Sequence, residues 1–206
     1  MNPRTRRFTV QGPAGDIDCA LDEPDGVAPA GLVVICHPHP QHGGTMDNKV
    51  VQTLARSWLQ RGWRTVRFNF RGVGGSQGQW DDGRGEIDDA CAVVSASRQS
   101  GETLVLGGFS FGAYVATHVA ARQPQDARAS HLVLVGPAVQ NFQPAPVDVA
   151  RTSVIHGEHD EVVPLSAVLD WARPQVLPVT VVPGVGHFFH GQLGTLKQIV
   201  LTCCHP

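Results

Sequence analysis

The chain has 206 residues, of which 42% are hydrophobic and 17% charged, and its formal net charge is −2. That length suits one domain with a full-sized core, and that balance excludes a chain dominated by disorder. The basic cluster Arg4, Arg6, Arg7 is short and reads as solvated, so a nucleic-acid footprint, which gathers Lys and Arg on one face, is excluded.

Residues 4–10 and 15–22 read as two strands joined by Gly12-Pro13-Ala14-Gly15, a hairpin and hence an antiparallel edge. The continuous apolar run at 31–36 suits a strand buried on both faces. A helix follows over about 47–61, with Val50, Leu54 and Trp58 recurring every four residues and Gly62 as its stop. Strand 63–70 leads into the glycine loop Arg71–Gly78. Helix 86–98 carries Ile87, Ala90, Cys91 and Val94 on one stripe. Then come strand 103–109, a helix from Ser110, strand 131–136 and a proline-rich stretch. Strand 152–156, helix 164–172, strand 177–182 and a last helix over about 190–204 complete the pattern. Eight strands, six in β/α alternation, predict a three-layer α/β/α sandwich in one domain, 1–206.

No apolar run reaches 18 residues, so no transmembrane helix is expected. The segment MNPRTRRFTVQG places no apolar stretch behind its basic residues, and no secretory signal is read there. Cys19, Cys36, Cys91, Cys203 and Cys204 are odd in number and lack CxxC spacing. They suit free thiols in a reducing compartment, so a cytoplasmic location is expected.

Residues 108–112 read Gly-Phe-Ser-Phe-Gly between a strand-like and a helix-like run. G-x-S-x-G in that context forms a sharp turn that lifts a serine hydroxyl above the sheet edge. Ser110 is the candidate nucleophile, and the Phe111 N–H faces the position of a developing oxyanion. A serine needs a base, and the base needs an acid to fix its tautomer. The order in this architecture is Ser, acid, His. After strand 152–156, Glu158, Asp160 and Glu161 compete for the acid, with Asp160 preferred because it sits in the loop before Pro164. After strand 177–182, His187 is preferred over His190 as base because it lies in the loop at the same edge, behind Gly184 and Gly186.

Residues 36–48 read CHPHPQHGGTMDN, with His37, His39 and His42 spaced H-x-H-x-x-H. Such spacing can hold zinc. Gln41 stands where a metal loop of this kind carries an acid, and Pro38 and Pro40 stiffen the segment, so no metal is expected. The other reading is an oxyanion loop. Pro38 and Pro40 have no N–H, which leaves His39 and Gln41 as backbone donors, with His39 favoured.

CHPHPQHGGTMDNKVV (36–51), FRGVGGSQG (70–78), GFSFG (108–112), HGEHDEVVP (156–164) and GHFFHG (186–191) together resemble the α/β-hydrolase superfamily. More closely they resemble its small lidless branch near dienelactone hydrolases and serine aminopeptidase-like hydrolases. The resemblance implies a mostly parallel eight-stranded sheet with an antiparallel second strand. It also implies Ser110, Asp160 and His187 as a triad, and an oxyanion hole at Phe111 and near His39. Dienelactone hydrolases use a cysteine nucleophile, so their chemistry is not carried over to Ser110. Only about 15 residues, 137–151, follow the sixth strand where relatives insert a helical lid, so no lid domain is expected. Low walls are then expected from 71–80 and 188–190, with Arg71 and Phe188 as substrate contacts. The reading is a carboxylesterase-like serine hydrolase of a small acyl substrate, an ester or thioester, needing no cofactor. A peptidase or acyltransferase on the same residues, or a non-catalytic binding member of the fold, are its rivals. Monomer and dimer are both open.

Overall fold

The structure, a computed structural model, describes residues 4–204. The ends of the expected 1–206 domain lie outside the described residues. Eight strands form one sheet in the order β1-β2-β4-β3-β5-β6-β7-β8. β1 (Arg6–Gly12) and β2 (Gly15–Asp22) make the antiparallel hairpin, and β2 is antiparallel to β4 (Arg64–Phe68) as well. β3 (Leu32–Cys36), β5 (Leu104–Phe109), β6 (His131–Val135), β7 (Thr152–Gly157) and β8 (Val179–Val182) continue in parallel.

Period-two side-chain alternation divides each central strand between two cores. Leu32, Val34, Leu104, Leu106, Leu132 and Leu134 pack on one face, beneath α2 (Arg84–Ser97), α3 (Phe111–Arg122) and α4 (Leu165–Ala172). Val33, Ile35, Val105, Phe109, Val133 and Val135 pack on the other. There they meet α1 (Lys49–Gln60) and α5 (Leu193–Cys203) through Val50, Leu54, Trp58, Leu196 and Val200. This burial on both faces explains the uninterrupted apolar runs.

Helix ends follow their local chemistry. Asn48 accepts the Val50 N–H at 2.9 Å and starts α1. Gly62, at φ 81°, ends the chain's turn after it. The last helix begins later than expected, because Phe189 (φ 53°) and Gly191 (φ 73°) turn the chain before Leu193.

After β3 the chain crosses to β4 on one side, and then returns to β5 on the other. The crevice at the carboxyl ends of β3 and β5 is therefore the topological switch point, where open α/β sheets place their sites. Between β6 and β7 there is only an irregular segment with a single 3-10 turn at Val149–Arg151. Among the described residues no lid covers the carboxyl edge. Among the described residues no helix is long and apolar enough to cross a membrane.

Candidate active site

Ser110 joins β5 to α3 with φ 56° and ψ −118°. A non-glycine residue there stores about 1–3 kcal/mol of backbone strain. The turn is held by the Ser110 N–H, which donates to the Val135 carbonyl at 2.9 Å. Its two glycines are sterically obligatory. A Cβ on Gly108 would lie 2.2 Å from the Gly112 carbonyl oxygen, and one on Gly112 would lie 2.3 Å from that of Cys36. The second contact locks the start of α3 against the end of β3, which sets Ser110 beside the histidine loop.

Asp160 and His187 come from loops after β7 and β8, and the structure brings them together. His187 Nδ1 lies 2.6 Å from Asp160 Oδ2. The other carboxylate oxygen, Oδ1, accepts the N–H groups of Val162 at 2.9 Å and Val163 at 2.7 Å. Burial works to raise the Asp160 pKa, but the His187 contact and the Val163 N–H outweigh it and hold the carboxyl below its usual range. The His187 ring packs on Phe109, the residue before Ser110, with centroids 4.8 Å apart. It also lies against Gly136, where a Cβ would stand 3.3 Å from its Cε1. Gly136 directly follows Val135, the acceptor of the Ser110 N–H. The imidazole is thus held next to the serine turn by contacts on both sides.

The competing groups lie elsewhere. Glu158 accepts the Gly184 N–H at 2.8 Å and is exposed. Glu161 is also exposed. His190 is exposed, its ring tilted against Phe188 with centroids 5.8 Å apart.

In the histidine loop, His37 is fully buried and both its nitrogens meet backbone. Nε2 accepts the Phe70 N–H at 3.0 Å, so Nδ1 carries the proton that reaches the Pro38 carbonyl at 2.6 Å. No lone pair is left for a metal. His37 instead ties the end of β3 to the segment after β4, and burial pushes its pKa down to about 4. His39 starts the 3-10 turn Pro40–His42 and stacks on His42, centroids 4.3 Å apart. No backbone acceptor among the described residues takes the N–H of His39 or of Phe111. The second of these is an orphan donor of the first helical turn.

Arg71 departs from expectation. Its guanidinium is turned down onto Asp89, with Nε–Oδ2 at 2.9 Å and Nη2–Oδ1 at 2.7 Å, and it fills the space beside Gly85. Half-buried, it braces the glycine loop against the buried Asp89 of α2 and is not turned toward substrate as expected. Phe188 remains 44% exposed beside His187, where a substrate can reach it.

Sequence reasoning passed over three residues. Gly136 had no motif to mark it. Phe142 lies in the proline-rich stretch and gave no periodic signal. His156 stands four residues before Asp160, at the end of β7, and enters the sequence reading as the first residue of the 156–164 motif, with no role of its own. It is wholly buried, with Nε2 2.9 Å from the Val163 carbonyl and 3.6 Å from Asp160 Oδ2.

The chain matches the family model of serine aminopeptidase S33 over residues 27–153, which includes the histidine loop and Ser110. It is similar to an α/β serine hydrolase homologue from Coxiella burnetii, at 40% identity and TM-score 0.83, covering 95% of each chain. It is also similar to a lidless α/β serine hydrolase from Xanthomonas campestris, at 38% identity and TM-score 0.84, covering 97% of this chain and 93% of that one. An uncharacterized protein of Rickettsia prowazekii is 30% identical over 178 residues, 78% of this chain and 72% of that protein. The chain belongs to the serine aminopeptidase S33 family, within the α/β-hydrolase superfamily.

Proposed function

We propose that the chain hydrolyses a small ester or thioester through an acyl-enzyme on Ser110. The observation that carries this reading is the buried 2.6 Å contact between His187 and Asp160, set beside a serine in a strained strand-to-helix turn. His187 Nε2 takes the Ser110 proton as Oγ bonds to the acyl carbon. The oxyanion is met by the N–H groups of Phe111 and His39. The bond to the leaving oxygen or sulfur then breaks, and that atom takes the proton from His187. Water repeats the sequence and releases the acid. Asp160 keeps the Nδ1 proton in place throughout. The family model's name favours a second reading, release of an aminoacyl group from an amide on the same residues.

A fluorophosphonate probe tests the chemistry directly. Labelling of Ser110, lost in Ser110→Ala, is the expected result, and a folded wild type that takes no label would sink the proposal. A panel of short esters, thioesters and aminoacyl amides then separates the two readings by relative kcat/KM.

A further inference from the structure

Five aromatic side chains form a continuous wall along one side of the serine turn. His39 stacks toward Trp80 with centroids 4.6 Å apart, and Trp80 toward Phe111 at 5.1 Å. Phe111 meets Phe142 at 4.9 Å, and Phe142 meets Tyr114 at 5.0 Å. Phe111 is fully buried and backs the wall, while Trp80, Tyr114 and Phe142 are half-buried and carry its accessible part. Two hydrogen bonds hold this wall over the serine. The Ala138 N–H donates to the Ser110 carbonyl, and the Phe142 N–H to the Ala138 carbonyl, each at 3.3 Å. The Trp80 indole is fixed in turn by its Nε1–H, which donates to Asp82 at 3.0 Å.

The charges behind the wall are already met. Glu86 turns its two oxygens to the N–H groups of Asp81 and Gly83, and Arg71 and Asp89 neutralise one another. The surface offered is therefore apolar and polarisable, its rings tilted against one another by 33° to 67°, which suits the face or edge of a second aromatic ring.

The geometry points to an aryl-bearing acyl group as the preferred substrate class, with Trp80 and Phe142 as the specificity-determining residues. This rests on the serine-hydrolase reading above. The assignment to the acyl half follows from where the two ends of the reaction lie. The oxyanion is the oxygen of the acyl carbonyl, and its two proposed donors, His39 and Phe111, are themselves members of the wall. The leaving atom must take its proton from His187, which packs on Phe109 and Phe188 instead. The leaving group is thus drawn toward His187 and the acyl substituent toward the wall.

Nitrophenyl esters of phenylpropanoate and cyclohexylpropanoate share a leaving group and a chain length, and one carries a planar aromatic ring where the other carries a puckered saturated one. The wild type is expected to favour the phenyl ester by about fivefold in kcat/KM, the worth of one good aromatic contact. Trp80→Leu and Phe142→Leu are each expected to bring that ratio toward one. A wild-type ratio near one, a ratio unmoved in both folded variants, or turnover of neither ester while a fluorophosphonate labels Ser110, would each overturn the wall and leave the hydrolase reading standing. Failure of Ser110 to label would remove both.

Discussion

Acidification is expected to unfold this protein through a histidine that does no chemistry. His37 is neutral in the fold, accepts the Phe70 N–H and has a pKa pushed down to about 4 by burial, against 6.5 when unfolded. Between those two values the unfolded chain binds a proton that the folded chain refuses, so stability falls as the pH falls. The span is 2.5 pH units, and at roughly 1.4 kcal/mol per unit the loss approaches about 3 kcal/mol near pH 4. Buried His156 acts in the same direction, because burial lowers its pKa too. Glu86 acts against them: burial raises its carboxyl, so protonation favours the fold as the pH falls. The contribution of Asp160 lies lower, since a depressed carboxyl pKa stabilises until the pH falls through it. Urea unfolding followed by circular dichroism, from about pH 7 to about pH 4, measures the slope. His37→Gln keeps an acceptor for Phe70 and a donor for Pro38 but does not titrate. Its slope over this window should be clearly shallower than that of the wild type. Equal slopes in the two proteins would refute the reasoning.

Asp160→Asn keeps an oxygen for the Val162 and Val163 N–H groups but presents an amide to His187, which then holds its proton on the wrong nitrogen. It should lose roughly a thousandfold to ten-thousandfold in kcat/KM with an unchanged circular dichroism spectrum. Glu158→Gln should change turnover little, and the reverse ranking would move the acid to Glu158. Gly112→Ala should fail to give folded protein, because its Cβ meets the backbone carbonyls of Cys36 and His37 at 2.3 and 2.5 Å. Expression and thermal melting check this. Arg71→Ala leaves Asp89 buried and uncompensated and should cost about 3–5 kcal/mol in urea unfolding. Replacing both partners by apolar residues should recover much of that loss.

The sequence was legible wherever one requirement left one residue type. Strands of a parallel sheet buried on both faces favour continuous apolar runs, and β3, β5 and β6 read as such. The serine turn excluded a Cβ at Gly108 and Gly112, so its motif carried its own geometry. Histidines carried less. Imidazole can ligate, catalyse, or bridge backbone groups, and H-x-H-x-x-H does not say which. Only the fold shows that His37 has Phe70 on one nitrogen and Pro38 on the other. Arg71 failed for a related reason. A glycine-rich loop at the sheet edge suggests a side chain facing substrate, yet its partner Asp89 lies 18 positions away on α2 and no local pattern links them.

The acid loop shows the same limit and what lies beyond it. Choosing Asp160 from three neighbouring carboxylates depended on one loop position, but what holds it is distributed. Val163 donates its N–H to Asp160 and receives the His156 Nε2–H on its carbonyl, so a residue on β7 fixes the loop that fixes the carboxylate. Val163 itself is anchored in the core under α4. A change at His156 should therefore reach the serine only through Asp160 and His187. His156→Phe would remove the donor to Val163 while keeping a ring in the strand. It should lower kcat more than it raises KM, since the cleft is untouched and only the alignment of the base is loosened. A rise in KM alone would mean that β7 shapes the substrate surface and that His156 has no part in holding the acid.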